Sequence, residues 1–443
     1  SSPGGEPIFS VCGRRRENKF ARRVPNSSSD SLTHRRGLAQ RIIASALAAV
    51  FILVFLKNAW VSEDAYITFR SVEQLFEGNG LRWNVHERVQ AFTHPLWFAI
   101  LASLHLVVSD LYLASIIASF FFCGFALERL YRATGSVERW IFCVSLLLMS
   151  QSFFDFTTSG LEGPLSFALL GAFLALYFSS QRDPNPRAIF WLSLVASGLL
   201  LTRHDHAVMI FIPLVAFFLS AWPHFGRRLI GSVLLGALPF LLWTGFSLLY
   251  YGSPVPNPAW AKLGTGVAPE LLMRQGESYL WASSEFDPLL PIVLTASWVA
   301  GLLGLFAKEK RSEGRARFFV ALGLLAQVLY VVRIGGDFMV GRFLAPSFFV
   351  AVLLIGRSVP RPSMAWKAGL AALLAVTLML PNSPLRTGLN YQNADFNRSG
   401  IVDERGLFFE YTSLWRWWNR DPEKPFPDHR WTRDAQTLSK RQQ

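Results

Sequence analysis

Charge is scarce in this chain of 443 residues. Only 16% of its residues are Asp, Glu, Lys or Arg, where a soluble domain usually carries about 25%. Acids are scarcer than bases, and the formal net charge is +13. There are three cysteines, Cys12, Cys123 and Cys143. The last two sit inside apolar runs, which excludes a disulfide framework and a zinc site. What fills the chain instead is apolar: 51% hydrophobic residues, with 38 Phe and 15 Trp. That composition suits helices that lie in lipid and end in aromatic belts. The basic residues fall between long apolar runs and fit a positive-inside pattern, so they do not argue for nucleic acid.

A span needs about 20 apolar residues. Runs at 38–61, 111–131, 140–157, 163–180, 187–202, 206–222, 228–251, 286–307, 316–333, 342–358 and 363–381 predict about eleven spans, an all-α polytopic bundle. Residues 1–37 are polar and basic and predict a disordered cytoplasmic tail. No cleavable signal is evident, and the first run reads as an uncleaved anchor. A shorter run, 94–108, begins His94-Pro95 and suits an interfacial or re-entrant helix. If it does not cross, the tail joins Arg129/Arg132/Arg139, Arg182/Arg187, Arg227/Arg228, the cluster from Lys308 to Arg317, and Arg357/Arg361/Lys367 on one side. That side is then cytoplasmic. The other side receives the first outer loop, 62–110, with short juxtamembrane helices expected. It also receives 158–162, 203–205, the loop 252–285, 334–341 and a short extracytoplasmic tail, 382–443.

Five polar clusters gather on that outer side, where ionisable residues at membrane depth cost roughly 2.5–3.5 kcal/mol and usually have a partner or a task. Glu63-Asp64 follows the first span, as a solvated helix end or as a general base or metal ligand. Glu162 sits where one helix ends and another starts, suited to a helix N-terminus or to a substrate. Arg203-His204-Asp205-His206 lacks the i, i+4 histidine spacing of a helical metal site. An Arg203–Asp205 pair bracing the turn is the better reading, and Arg203 can also reach an anionic head group. Lys262 closes a Pro-rich segment and either snorkels or binds phosphate. Gly335-Gly336-Asp337 and Gly341-Arg342 make the fifth, where a glycine pair lets backbone approach a ligand.

In this order the clusters resemble one family, on EDAYITFR at 63–70, GNGLRWN at 78–84, FTHPLW at 92–97, TSGLEGPL at 158–165, LLTRHD at 200–205, YYGSPVPNPAWAK at 250–262, GGDFMVGRFLAP at 335–346 and GIVDERGLFF at 400–409. The chain resembles, over roughly 40–410, the GT-C-type membrane glycosyltransferases related to the mycobacterial arabinofuranosyltransferase AftB, and the ZomB-like proteins assigned to flagellar motor control. The resemblance implies a GT-C-like domain over 38–381 in a bacterial inner membrane. It also implies a polyprenyl-phosphate-linked sugar as donor, arabinofuranose among the candidates, and a glycan acceptor outside the cell. Asp64 takes the place of the catalytic base. Glu63 stands where relatives often carry a second Asp. Only about sixty residues follow the last run, where AftB carries a larger extracytoplasmic domain.

The residue types allow a mechanism. Asp64, with Glu63 beside it, supplies the base, and Arg203, Lys262 and Arg342 are the donor-phosphate ligands. Six further residues within the motifs, Arg70, His94, Glu162, Asp205, Asn257 and Asp337, are substrate-binding candidates. Direct displacement predicts inversion at the anomeric carbon. No cofactor is required. A divalent metal bridging the phosphate is compatible with Glu63, Asp64 or Asp337 but not demanded by them. A transporter would want midplane charges and paired broken helices. A non-catalytic membrane scaffold would have no use for Asp64.

Overall fold

The computed structural model describes residues 27–306, 311–359, 364–393, 396–424, 426–430 and 432–434. Cys12, Lys308, Glu309, Lys310 and Arg361 lie outside them. Contacts separate Ser1–Ile42 from Ile43–Gln443. In the first unit the described residues, from Ser27 on, are helical. Residues 27–37, expected as part of the disordered tail, are thus helical. Once the apolar run nucleates a helix, each flanking residue gains a backbone hydrogen bond at little further cost. Residues 1–26 lie outside the described residues.

The described chain is all helical apart from isolated bridges. After α1 (Ser27–Asn58), the segment read as the first outer loop forms α2 (Ala65–Phe76) and α3 (Pro95–His105). Both bury one side. α4 (Leu111–Thr134) starts on Asp110, which accepts the Leu113 N–H, and stops at Gly135 in the left-handed conformation. α5 (Val137–Met149) and α6 (Gln151–Thr158) follow, then α7 (Gly163–Ser180), α8 (Pro186–Thr202), α9 (His206–Phe225) and α10 (Arg228–Tyr251). α7 packs on α4, and α8 on α10. Next come α11 (Asn257–Leu263), α12 (Pro269–Phe286), α13 (Leu289–Gly304) and α14 (Arg311–Arg333). α13 lies against α14 where Gly304 and Gly314 meet backbone to backbone. α15 (Ala345–Ser358) is short but buried from Ala345 to Gly356, so it is the central helix of the bundle. α16 (Met364–Met379), α17 (Glu404–Thr412) and α18 (Leu414–Trp418) complete the order.

Among the described residues, six helices are long and apolar enough to cross a membrane, or eight if each of two bent pairs counts as one span. Leu249, 90% exposed on α10, fits a lipid-facing surface better than a water-facing one. The run 140–157, expected as one span, is bent, with α5 and α6 meeting at 83°. α12 and α13 meet at 107°. One carboxylate joins both breaks. Asp287 Oδ2 accepts the Ser150 hydroxyl at 2.6 Å and the Ser152 N–H at 3.1 Å, and its Oδ1 accepts the Leu289 N–H at 3.2 Å. The orphan N–H groups of two helix starts thus share a buried acid, as helix ends demand. Residues 252–285, expected as a loop, carry α11 and most of α12. Proline in the first turn of each helix and Glu270 at the start of α12 favour those starts.

Candidate active site

At one end of the bundle, segments far apart in sequence place their polar residues together. Arg342 lies at the centre. Its Nη1 is 3.0 Å from Asp64 Oδ2 and 3.6 Å from Asp337 Oδ2, and its Nη2 is 3.8 Å from Glu162 Oε1. Arg203 donates from Nη1 to Glu162 Oε1 at 3.2 Å. It also forks onto Asp205, from Nε to Oδ1 at 2.9 Å and from Nη2 to Oδ2 at 2.8 Å. That pair closes the turn between α8 and α9. Lys262 Nζ donates to Asp337 Oδ1 at 3.3 Å. Arg203 and Lys262 both sit over the Phe343 ring, at 4.5 and 4.6 Å. His94 links Glu162 to α2, its Nδ1 3.0 Å from Glu162 Oε2 and its Nε2 2.7 Å from the Thr68 hydroxyl.

Local structure explains these positions. The turn 61–64 is tied by the Ser62 N–H to Ser159 O at 2.8 Å, which sets Asp64 at the start of α2. Glu162 precedes Gly163-Pro164 at the start of α7, yet its side chain makes no capping bond and points to the arginines instead. The loop 335–344 is shaped by α12. The Tyr279 hydroxyl donates to Met339 O at 3.2 Å and accepts the Phe343 N–H at 3.0 Å, and the Ser283 hydroxyl accepts the Gly341 N–H at 3.1 Å. Gly336 has φ +70°, and a Cβ there would run into the Tyr279 ring. Only glycine serves at that position.

Burial works against the Glu162 charge, but His94, Arg342 and Arg203 outweigh it and hold the carboxyl well below the usual carboxylate range. Burial opposes the Asp205 charge too, and the Arg203 fork overrides it, leaving Asp205 at about 2. Burial tends to lower Arg203 and Arg342, yet their carboxylate partners push both upward, Asp205 first for Arg203 and Asp337 first for Arg342. Burial, then the Asp64 charge, raises Glu63. The cluster therefore stands as four carboxylates around three fixed cations, each cation already paired. The cavity among Glu162, Ser166, Arg203 and Arg342 is about 10 Å³, so the ion pairs draw the site nearly shut. A larger groove of about 460 Å³ lies between α1, α4 and α5, but its lining is mostly apolar, with Glu128 its one charged residue.

Of the residues singled out from sequence, Asp64, His94, Glu162, Arg203, Asp205, Lys262, Asp337 and Arg342 meet in this network. Three do not. Glu63 is exposed beside it. Arg70 turns away to stack on Trp83, donating to Trp83 O at 3.2 Å and Asn84 Oδ1 at 3.3 Å. Asn257 is exposed and uses its backbone N–H on Gln90 O. Ser62, Thr68, Phe343 and Glu404 were missed. Phe343 follows Arg342 directly and Glu404 lies in GIVDERGLFF, so only the motif context pointed at them. Among the described residues no group of three or more His, Cys, Asp or Glu could hold a metal ion. Glu63, Asp64 and Asp337 do not form such a set.

No protein-family model matches the chain. A curated terminal beta-(1->2)-arabinofuranosyltransferase of Mycobacterium tuberculosis is 28% identical over 83% of this chain. A protein of the same name from Corynebacterium glutamicum is also 28% identical over 83% of it. The chain resembles the arabinofuranosyltransferases. It spans 65% of the length of the mycobacterial relative and 57% of the corynebacterial one. The crystal structure of ArnT from Cupriavidus metallidurans bound to undecaprenyl phosphate matches 83% of this chain and 68% of ArnT, with a TM-score of 0.50 and 13% identity. The arabinofuranosyltransferase likeness thus comes with an ArnT-like fold in a multi-pass membrane protein.

Proposed function

We propose that the chain is a membrane glycosyltransferase. It moves a sugar, arabinofuranose by analogy with the names of its relatives, from a polyprenyl-phosphate donor to an extracytoplasmic glycan. The carrying observation is the Asp64–Arg342 pair at the centre of a network built from six separate segments. The undecaprenyl phosphate bound by ArnT supports a polyprenyl-phosphate donor in this fold. On this reading, α8, α15 and α16 also cross the bilayer, which with the eight spans gives the expected eleven. The N-terminus is cytoplasmic, and the site faces outward from a bacterial inner membrane.

The acceptor hydroxyl attacks the anomeric carbon as the bond from that carbon to the phosphate oxygen breaks. Asp64 takes the hydroxyl proton, and the electron pair leaves with polyprenyl phosphate, inverting the anomeric centre. Lys262, half exposed, is the cation most open to an arriving phosphate. Arg342 and Arg203 stabilise the growing charge once the phosphate competes with their carboxylates. Glu162 and Asp205 hold the two guanidinium groups in place. His94 and Thr68 brace Glu162.

The test is transfer in nanodiscs with radiolabelled polyprenyl-phosphoarabinofuranose. Acceptor-dependent release of polyprenyl phosphate is expected. Protein that binds the donor but never releases polyprenyl phosphate, with any glycan acceptor and with divalent metal added, would overturn the proposal.

A further inference from the structure

One stretch of chain touches both segments that carry the proposed chemistry. Val402 pairs with the 335–344 loop by backbone, its N–H on Phe338 O at 2.8 Å and its O accepting the Val340 N–H at 3.0 Å. Two residues on, Glu404 reaches the other segment. The Ser62 hydroxyl donates to Glu404 Oε1 at 2.6 Å, and the same Ser62 oxygen accepts the Asp64 N–H at 3.2 Å. Glu404 is only 3% exposed, and its Oε2 is buried with no hydrogen-bond partner.

The stretch is itself anchored. Asp403 caps α17 through the Gly406 N–H at 3.0 Å. Arg405, fully buried, pairs with Asp155 at 3.2 Å, donates to Asn58 Oδ1 at 2.6 Å, and stacks on Tyr391 and Phe409. Glu404 therefore approaches Ser62 from a fixed platform.

We propose that Glu404 is a positioning residue for the transfer reaction. Its carboxyl fixes the Ser62 hydroxyl, and through it the backbone of Asp64, while Val402 fixes the loop of Arg342. The base and its arginine are thus held in one register by the same three residues. This rests on the glycosyltransferase reading given above.

The protonation state of Glu404 matters to this role. Burial raises its carboxyl to about 8, the Ser62 hydrogen bond opposing and the charges of Asp64 and Glu63 adding to it, with Arg342 working the other way. The charged groups that face it are Glu63 and Asp64 from the turn and Arg342 from the loop, with Asp403 and Arg405 beside it on its own segment. A carboxyl raised that far favours the neutral acid at pH 7. One oxygen accepts from Ser62, and the other has no partner in the structure. As pH rises through about 8, ionisation would put a third negative charge beside Glu63 and Asp64.

The experiment measures kcat, donor KM and the pH profile of full-length protein in nanodiscs, using labelled polyprenyl-phosphoarabinofuranose. Wild type should lose activity as pH rises through about 8. Glu404→Gln keeps the acceptor for Ser62 and cannot ionise, so it should retain most of kcat and lose that alkaline limb. Glu404→Ala removes the acceptor. It should lower kcat roughly ten- to hundredfold with donor KM little changed, as expected when a reacting group is misplaced by up to an ångström. An alkaline limb that persists in Glu404→Gln overturns the inference. So does wild-type kcat in folded Glu404→Ala. If Glu404→Ala fails to fold, the glutamine profile alone decides. Asp64→Asn runs alongside. Wild-type transfer by that variant would sink the base reading itself. An inactive Asp64→Asn with wild-type behaviour in both Glu404 variants would sink only this inference.

Discussion

Replacing Asp64 with asparagine separates chemistry from architecture. The substitution keeps the side-chain shape and removes only the charge and the proton acceptor. Structurally it should be mild. The Asp64 side chain is 26% exposed, and its one ion-pair partner, Arg342, retains Asp337 and Glu162. A partly exposed pair contributes about 1 kcal/mol or less, so the unfolding midpoint in detergent should move little. The rate should move far more. A general base contributes about 10²–10⁴-fold, which at 1.36 kcal/mol per tenfold is roughly 2.7–5.4 kcal/mol of barrier. The rate effect thus exceeds the stability effect several-fold, and loss of folded protein cannot mimic it. The assay is single-turnover release of polyprenyl phosphate in nanodiscs, normalised to folded protein. Release within threefold of wild type would refute the assignment of Asp64 as base, and Glu63 would be next to test.

Lys262→Ala should raise the donor KM and lower kcat while leaving the unfolding midpoint nearly unchanged, because Lys262 is half exposed in its pair with Asp337. An unchanged KM would remove it from phosphate binding. Glu162 and Asp205 both have lowered carboxyls, so the stability they contribute is complete above the ordinary carboxylate pKa of about 4. It is lost as pH falls below that, through about 2 for Asp205. Thermal unfolding scanned from pH 7 to pH 2 should therefore show a falling midpoint in wild type and a shallower fall in Glu162→Gln, from a lower starting value. Gly336→Ala should cost about 1–3 kcal/mol from the left-handed backbone alone, more from contact with Tyr279. Its displaced loop should cut transfer, and normal activity would show that the loop tolerates a shift.

Much of this site was legible because the motifs put their charges at helix ends. Asp64 exits a span, Glu162 and Arg203 sit in tight turns, and Asp337 and Arg342 flank a glycine-bounded loop. Charges at such positions need partners, and the partners available were one another. Helix breaks were not legible. The run 140–157 carries a short polar stretch, Ser150-Gln151-Ser152, and Asp155, and Asp287, which holds its bend, lies in another segment. α12 was missed because its Glu and Arg residues do not read as a span, although its first turn carries helix-start signals. Glu404 was hidden by distance, since its partner Ser62 lies 342 residues away along the chain. Arg70 misled because a charged residue next to a polar cluster found a local aromatic partner instead.

The charge balance of the network sets the order of events on the proposed reading. Four carboxylates already surround three cations, so a donor phosphate adds a negative charge to a site with no cation to spare. Some pair must yield. Glu162 and Asp337 side chains are almost fully buried, and Asp205 holds Arg203 through a bidentate fork. Leaving any of these three carboxylates unpaired is costly. Asp64 is the most exposed of the four acids and has a single ion-pair partner, so its pair with Arg342 is the cheapest to open. The arriving phosphate then takes the guanidinium face that Asp64 held, and the freed carboxylate can accept the acceptor's proton. This order predicts that Asp64→Asn binds the donor more tightly than wild type, because the phosphate no longer competes with a carboxylate for Arg342. Binding of labelled donor to the variant in nanodiscs measures it directly. Weaker or equal binding would mean that the phosphate never engages Arg342, and Lys262 would be left to hold it alone.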